Sequence, residues 1–379
     1  MILGMDGRVV TWHIGSGLAT YTTNLLTNIQ KHNELKDIFM FYPSDNKTDI
    51  FDIRSIPKNM LVGERRQDFW NKVYQVNWNL KFPVDFFHNT VNGIGLPTNL
   101  NCNHVITLHD VIPYIMPETV DRPHLNYTFR TTPDIVQNAT QIITVSNYSK
   151  LDIQRYFGVS DDKITVTHLA ADDIYQPMDR DKARSVIFNK YGIERNYILY
   201  LGGFSPRKNI ARLIQSFQRV RDNFEKPIDL LILGEHQRSY KQLWELTEKL
   251  NLADNVKFLN FIPTDDLPFF YNGADVFVYP SLYEGFGLPP LESMQCGTPV
   301  VTSNVSSIPE IVGDAALLAN PYNIDEISEQ ILKLLTDNYL WMRHSLLGQA
   351  KAKEYSWDKT AEKTLEVYRK CLSSKSNFN

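Results

Sequence analysis

Short apolar runs recur along this chain between segments that have the spacing of amphipathic helices, and this alternation constrains the fold more than any other feature. The clearest runs cover residues 104–108, 141–145, 163–169, 197–202, 229–234, 256–261, 275–280 and 298–304. Several are rich in Val and Ile and apolar on both faces, which is typical of buried strands in parallel sheets. The pattern therefore predicts an α/β protein.

The strands divide into two groups near residue 172. There a polar, proline-containing segment (170–181) precedes a helical pattern and a new strand. With 379 residues and 43% hydrophobic content, the chain is long enough for two domains with separate cores. We expect an N-terminal domain over residues 1–172 and a C-terminal domain over 173–357, with a ligand site in the cleft between them.

Charge and cysteine content argue against several classes of protein. There are 39 basic and 43 acidic residues without a long run of either sign, so a nucleic-acid partner is not expected. Cys102, Cys296 and Cys371 are odd in number and widely spaced, which fits reduced cytosolic thiols better than disulfides or a zinc site. No secretory leader is visible, and no window reaches the ~18 apolar residues of a membrane span. We expect a cytoplasmic protein, and peripheral contact with the inner face of the membrane stays open.

A strand, a glycine-containing loop and a helix follow one another over residues 275–296, an arrangement that offers backbone N–H groups to a phosphorylated ligand. Pro290 suits the first helical position and Gly297 the end of the helix. Glu284 then lies in the loop and Glu292 in the first helical turn, so both carboxylates can bind hydroxyls of one ligand. The alternative is that Glu292 only complements the helix dipole and Glu284 is solvated.

A second strand, glycine turn and helix cover residues 200–217, "YLGGFSPRKNIARLIQSF". Arg207 and Lys208 open the predicted helix, where cations oppose the dipole unless an anion binds there. Simple solvation at a surface turn is the alternative. The two motifs together favour a phosphorylated ligand.

Three features of the N-terminal half are candidates for a second part of the site. Gly15 and Gly17 stand in a turn that runs into a helix and can approach a phosphate or sugar, or they belong to a plain N-cap turn. His109 lies at the end of a predicted strand and faces the expected cleft; the alternative is a structural histidine whose hydrogen bonds are all made within the protein. Asp110 either orients His109 or caps the next turn. Aromatic residues at helical spacing, Trp70, Tyr74 and Trp78, favour a buried stripe, with an acceptor wall or a membrane-contacting face as alternatives.

The motifs "YLGGFSPRKN", "PSLYEGFGLPPLESMQCGTPVV" and "SSIPEIVGDAALL" together resemble the retaining nucleotide-sugar glycosyltransferases of family 4, group 1. The resemblance extends over nearly the whole chain, through residues 107–118, 145–159 and 355–368. It implies the GT-B fold, with two Rossmann-like parallel-sheet domains facing across a deep cleft. The N-terminal domain would bind the acceptor and the C-terminal domain the donor, while a last helix (about 358–379) would pack back on the first domain.

The resemblance also implies roles for single residues. Glu284 would contact the donor sugar, and Glu292 would bind the nucleotide ribose. Arg207 and Lys208 would neutralise the departing diphosphate, and His109 would contact the hexose near the reacting centre.

Further contacts are implied for the backbone and for the base. The amides that would hold sugar hydroxyls and diphosphate belong to Gly285, Phe286, Gly287 and Leu288. The nucleotide base would lie against Phe261 and Ile262. No metal and no cofactor are expected, since the nucleotide sugar is a substrate.

The implied activity is transfer of a hexose of the mannose or glucose type, with retention, from a GDP- or UDP-hexose to a glycan or glycolipid acceptor. The motifs resemble most closely members that build bacterial surface polysaccharide. A non-hydrolysing nucleotide-sugar epimerase of the same fold and a catalytically inactive sugar-nucleotide-binding subunit remain alternatives. A dehydrogenase is disfavoured, because no Gly-x-Gly-x-x-Gly follows a strand with an acidic residue ~20 positions later. Acceptor, linkage and oligomeric state stay open.

Overall fold

The computed structural model describes residues 1–12, 16–43, 48–52, 84–96, 102–235 and 239–373. The chain divides into two units: unit 1 is Met1–Leu169 with Ser356–Asn379, and unit 2 is Ala170–Tyr355. Within the described ranges, no helix has both the length and the apolar character that crossing a membrane requires. Gly15 and the stripe of Trp70, Tyr74 and Trp78 lie outside the described residues.

Unit 1 contains a seven-stranded sheet with the order β3-β2-β1-β4-β5-β6-β7, in which only the β2–β3 pair is antiparallel. Its strands are β1 (Ile2–Asp6), β2 (Asp37–Pro43), β3 (Thr48–Asp52), β4 (Phe86–Asn89), β5 (His104–Thr107), β6 (Gln141–Thr144) and β7 (Ile164–Val166). The helices between them are α1 (Arg8–Trp12), α2 (Gly17–Ile29), α3 (Ile112–Ile115), α4 (Arg122–Asn138) and α5 (Asn147–Phe157).

The apolar runs predicted β5, β6 and β7 but none of β1 to β4, which include the two central strands β1 and β4. Strand β1 contains Gly4, where a Cβ would come within 3.0 Å of Phe41 and Phe87. Strand β4 ends in the buried polar residues His88 and Asn89. Because a glycine and two polar residues interrupt the apolar pattern of β1 and β4, the sequence pattern does not predict these two strands.

Unit 2 contains a six-stranded, fully parallel sheet with the order β10-β9-β8-β11-β12-β13. Its strands are β8 (Asn196–Leu201), β9 (Ile228–Leu233), β10 (Val256–Leu259), β11 (Val276–Tyr279), β12 (Val300–Ser303) and β13 (Leu317–Ala319). Its helices are α6 (Arg180–Tyr191), α7 (Ile210–Asn223), α8 (Tyr240–Lys249), α9 (Leu267–Gly273), α10 (Leu288–Gln295), α11 (Ile308–Val312), α12 (Ile324–Thr336) and α13 (Asn338–Ala352).

The five predicted runs of the C-terminal half correspond to β8–β12, and the three-residue β13 was not predicted. Both sheets are therefore parallel α/β sheets, as the apolar runs indicated. In each sheet the strand order reverses beside a central strand, between β1 and β4 in unit 1 and between β8 and β11 in unit 2. Open α/β sheets bind ligands at such a switch point, beyond the carboxyl ends of the strands.

The last helix, α14 (Trp357–Ser373), packs on the sheet of unit 1. Its Tyr368 hydroxyl lies 2.8 Å from Nδ1 of the buried His88. Thr360 donates to the carbonyl of His168 at 2.6 Å. These buried hydrogen bonds explain why the end of the chain belongs to the first unit.

The structure divides the chain after Leu169, whereas the sequence placed the linker near residue 172. The segment that follows Leu169 is held by unit 2, because the side chain of Gln295 donates to the carbonyl of Asp172 at 3.2 Å. Tyr175 also packs edge-on against Tyr271, with 5.5 Å between ring centroids. Contacts made far along the chain thus set the boundary, and local polarity does not reveal them.

Candidate functional site

The loops that follow β8 and β11 meet at the switch point of unit 2. The two strands are parallel neighbours, with Ile198 opposite Val276. Arg207 and Lys208 follow β8, and Glu284 follows β11. The sheet therefore brings together three predicted site residues, although Lys208 and Glu284 stand 76 positions apart in the sequence.

Glu284 is at the centre of a charged cluster. Its Oε1 lies 2.9 Å from Nη1 of Arg207 and 2.7 Å from Nζ of Lys208. The hydroxyl of Tyr279, the last residue of β11, donates to the same oxygen at 3.0 Å. Lys208 also donates to the Tyr279 hydroxyl. The sequence did not single out Tyr279, although its place at the end of a strand beside the loop was visible.

The electrostatics of this cluster keep Glu284 ionised. Burial raises the pKa of the Glu284 carboxyl, but the Arg207 and Lys208 charges outweigh burial and lower that pKa to about 2. Two cations and one carboxylate leave the cluster with a net charge of +1. The cluster can therefore still attract an anion, and Glu284 can accept hydrogen bonds from hydroxyl groups.

Two serines after β12 hold the loop that carries Glu284. The backbone N–H of Glu284 donates to Oγ of Ser306 at 3.1 Å. Oγ of Ser307 lies 2.9 Å from the carbonyl oxygens of both Glu284 and Phe286. The Phe286 ring is buried edge-on against Tyr355, with 5.9 Å between centroids. The loop from Glu284 to Gly287, which includes Gly285, is thus anchored to the motif "SSIPE" that follows it in sequence.

Helix α10 begins directly after Gly287. Gly287 has φ +116°, and a Cβ there would lie 2.7 Å from Cδ1 of Ile308, so this position requires glycine. No side chain caps the helix. Pro289 and Pro290 carry no N–H group, so Leu288 is the first backbone donor of the N-terminal turn.

The helix begins earlier than the sequence predicted. We expected Pro290 at the first helical position and Glu292 in the first turn, but α10 starts at Leu288. The left-handed backbone of Gly287 allows this earlier start. Glu292 therefore lies in the second turn, where the helix dipole acts on it more weakly.

Glu292 has a separate set of neighbours. The Tyr271 hydroxyl donates to its Oε2 at 2.7 Å. Burial raises the pKa of Glu292, the Tyr271 hydrogen bond lowers it, and the Asp172 charge raises it, with a result of about 7. Glu284 and Glu292 thus occupy electrostatically opposite environments.

His109 is a buried residue of unit 1. Its Nε2 lies 3.0 Å from the carbonyl oxygen of Thr90, which can only accept, so Nε2 carries the proton. The ring is edge-on to Tyr21 at 4.8 Å, and its backbone N–H donates to Asn92 at 2.7 Å. Burial lowers the pKa of His109 to about 4, although the Thr90 hydrogen bond raises it. The imidazole is therefore neutral at physiological pH, with Nδ1 unprotonated.

Hydrogen bonds describe two further candidate positions of unit 1. Oδ1 of Asp110 accepts from the backbone N–H of Ile112 at 3.0 Å, a contact at the start of the next turn. Gly17 is the first residue of α2, and Oγ of Ser16 accepts from the N–H of Ala19 at 3.2 Å. Gly17 thus stands in a side-chain-capped helix start.

The predicted base-binding residues follow β10. The Phe261 side chain is 59% exposed, whereas Ile262 is buried. The backbone N–H of Phe261 donates to the side chain of Asn260 at 2.9 Å. An exposed ring on an anchored backbone offers a flat surface on which a base can stack.

A buried ion pair at the switch point of unit 1 was not predicted. Nε of Arg8 donates to Oδ1 of Asp6 at 2.9 Å, and both side chains are fully buried. Nη2 of Arg8 also donates to the carbonyl of Ile94 at 2.6 Å, and Asn89 donates to Asp6 at 3.0 Å. The pair therefore ties the loops after β1 and β4 together. Its only sequence signal is two opposite charges, two residues apart, after a short strand.

Comparison with known proteins covers both units. Residues 15–173 match the family described as Glycosyltransferase Family 4, and residues 183–353 match Glycosyl transferases group 1. The O-antigen chain mannosyltransferase B of Escherichia coli is 32% identical over 370 residues, which are 93% of this chain and 96% of that protein.

Two solved structures share the fold of this chain at low sequence identity. Sucrose-phosphate synthase of Thermosynechococcus elongatus has a TM-score of 0.77 at 19% identity, over 99% of this chain and 100% of that one. Anabaena HepE in complex with UDP-glucose has a TM-score of 0.69 at 18% identity, over 97% and 99% of the two chains. These similarities confirm the GT-B fold and the family resemblance. The chain belongs to the group 1 glycosyltransferases of family 4.

Proposed function

We propose that this glycosyltransferase is a retaining mannosyltransferase of surface-polysaccharide synthesis. It would move mannose from a GDP- or UDP-linked donor to a hydroxyl of a glycan or glycolipid acceptor, without a metal ion. The observation that carries the proposal is the cluster of Glu284, Arg207 and Lys208 beside the N-terminus of α10. The choice of mannose is supported by the name of the Escherichia coli relative.

The charge of the cluster suits a sugar linked to a diphosphate. Its net positive charge and the partial positive charge at the start of α10 both attract phosphate oxygens. Negative charge grows on the leaving diphosphate as the glycosidic bond breaks, and Arg207 and Lys208 would stabilise it. This supports transfer without a metal, because side chains supply the positive charge.

The hydrogen bonds of Glu284 support retention without a protein nucleophile. Tyr279 and Lys208 donate hydrogen bonds to one oxygen of the carboxylate, and the Arg207 guanidinium forms an ion pair with the same oxygen. Such donors stabilise the carboxylate charge and reduce its nucleophilicity. The acceptor hydroxyl would then attack the anomeric carbon on the face from which the diphosphate departs and give its proton to the departing diphosphate, while Glu284 binds a sugar hydroxyl. Under this proposal His109 contacts the hexose, as the family resemblance implies.

The direct test is a donor panel with the purified protein. GDP-mannose, UDP-glucose and related donors are mixed with a mannose-terminated glycolipid in the presence of a chelator, and the product is analysed by mass and by the anomeric signals in NMR. We expect mannose transfer from one donor with an unchanged anomeric configuration. Lys208→Met should lose most of this turnover, whereas Arg221→Met, on the far end of α7, should keep it.

Other results would contradict the proposal. A new sugar nucleotide formed without acceptor would indicate an epimerase. Binding of the donor without turnover would indicate a binding subunit. Loss of transfer in the chelator would contradict metal independence alone. The glycolipid acceptor would also bring the protein to the inner face of the membrane, which flotation with acceptor-containing vesicles can test.

A further inference from the structure

We propose that Tyr271 is a positioning residue for the donor nucleotide. Its hydroxyl holds Oε2 of Glu292, so that Oε1 of the same carboxylate faces the 2′,3′-diol of the ribose. This inference rests on the proposed function, in which Glu292 binds the ribose.

The surroundings of Tyr271 leave its phenol little freedom. Tyr271 lies on α9, which packs against α10, and its side chain is fully buried. The rings of Tyr175 and Phe277 lie edge-on to it at 5.5 Å and 5.3 Å. Its backbone carbonyl accepts from Oγ1 of Thr298 at 2.6 Å. The hydroxyl is therefore fixed in the direction of Glu292 before any ligand binds.

One oxygen of Glu292 is left for a ligand. An ionised carboxylate has about four acceptor positions on two oxygens, and Tyr271 occupies one of them on Oε2. Among the residues that the structure describes, no group donates to Oε1. Glu292 is nearly buried, with 9% of the residue exposed, and under this proposal a ribose hydroxyl takes the open position on Oε1. Two adjacent hydroxyls, as in ribose, match an acceptor that cannot rotate.

The pKa values of Glu292 and of the ionisable groups around it indicate that Glu292 is the one that titrates near neutrality. Burial raises the pKa of Tyr271, Tyr175 and Cys296 far above neutrality, so these groups stay protonated. Asp172 is the charged neighbour, and together with burial it raises the pKa of Glu292 to about 7. The accepting, ionised form of Glu292 is therefore populated above pH 7 and lost as the pH falls below it.

The test compares ribose with dideoxyribose as ligand. Affinities for GDP and UDP and for their 2′,3′-dideoxy forms are measured by calorimetry at pH 8 and pH 6, for the wild type and Tyr271→Phe. The ratio of the two affinities isolates the diol and cancels the protonation of the phosphates. For the wild type at pH 8 we expect the ribose form to bind roughly 10–100-fold more tightly, as one or two hydrogen bonds to a charged group imply.

The variant should change this ratio and little else. In Tyr271→Phe the ring packing stays, but the preference for ribose should fall by about 5–10-fold, as loss of one fixed hydrogen bond implies. The affinity for the dideoxy form should not change. Loss of the hydroxyl also raises the pKa of Glu292 further, so the preference should appear at higher pH than in the wild type. A merely structural role of Tyr271 would change neither the ratio nor its pH dependence.

A matched control exists in the same unit. Tyr191 donates to the carboxylate of Asp266 at 2.6 Å, so Tyr191→Phe removes an equivalent hydrogen bond elsewhere. It should leave the ribose preference unchanged. The wild type alone provides a second measurement, since its preference should fall between pH 8 and pH 6.

The outcomes separate the two proposals. If the wild type binds no nucleoside diphosphate, the proposed function fails and takes this inference with it. If the wild type prefers ribose but Tyr271→Phe has the same ratio, or weakens both ligands equally, only the positioning role is overturned. A wild-type preference that does not change with pH would contradict Glu292 as the acceptor.

Discussion

Replacing Glu292 by glutamine should stabilise the unliganded protein at alkaline pH. The carboxyl is buried on α10, and burial together with the Asp172 charge raises the pKa of Glu292 from 4.5 to about 7. A carboxyl whose pKa is higher in the folded than in the unfolded state opposes folding once it must ionise. Glutamine has nearly the same shape and can still accept from Tyr271, but it carries no charge.

The magnitude follows from the two pKa values of Glu292. The pKa of Glu292 rises from 4.5 to about 7 on folding. At about 1.4 kcal/mol per pKa unit, this lowers the free energy of unfolding by ~3 kcal/mol at pH 8. Below pH 4.5 the carboxyl is protonated in both states and the cost vanishes. Between these limits the folded state holds the extra proton, so the cost grows as the pH rises. The buried amide N–H groups of glutamine offset part of the gain, which leaves about 1–3 kcal/mol.

The assay is denaturant unfolding of wild type and Glu292→Gln at pH 5, 6, 7 and 8. The difference in free energy of unfolding between the two proteins reports on the charge at position 292, including its interaction with neighbours such as Asp172. For a unit of this size, 1–3 kcal/mol corresponds to an increase in Tm of roughly 2–12 °C. Glu329→Gln on α12, where the glutamate is exposed, serves as the matched control and should change little. The same Glu292 variant should bind nucleoside diphosphate more weakly, so that stability and affinity move in opposite directions.

Two results would refute this reasoning. The first is a wild type that is more stable than Glu292→Gln at pH 8. The second is a difference in stability that does not depend on pH, which would mean that the change in packing dominates the change in charge.

Three other positions give independent predictions. Glu284→Gln should lower the free energy of unfolding by about 3 kcal/mol at pH 7, because the pKa of Glu284 is lowered to about 2; the loss should shrink as the pH falls from 4.5 towards 2 in urea titrations. Gly287→Ala should lower the free energy of unfolding by about 2 kcal/mol or more and raise the KM for the donor, since its Cβ would meet Ile308. Gly158→Ala is the control, because Gly158 also has a positive φ but lies in open space. It should lower the free energy of unfolding by less and leave the KM unchanged. His109→Ala should lower kcat without changing the pH–rate profile between pH 5.5 and 8, because the pKa of His109 is about 4; an inflection near pH 6.5 that disappears in the variant would contradict this.

The sequence was most informative where the pattern is local. Strands β5 to β12 stood out because each is a short apolar run between helical segments. Strands β1 and β4 were missed, although they are central, because Gly4, His88 and Asn89 interrupt the pattern and are accommodated only by neighbours in the sheet. The start of α10 was misplaced by two residues, because the left-handed backbone of Gly287 lets the helix begin at Leu288 and the local sequence pattern does not indicate that conformation.

The sequence by itself determined the α/β class, the family and the residue types at the switch point of unit 2, including the two glutamates eight residues apart. Only the tertiary structure decided the protonation behaviour of these two glutamates. Glu284 lies between two cations that come from another loop and is held ionised, whereas Glu292 lies in a buried, acidic neighbourhood and is held close to protonation. The physical reason is that a pKa depends on burial and on charges that are near in space, and those charges are supplied by residues such as Lys208 and Asp172 that are distant in the chain.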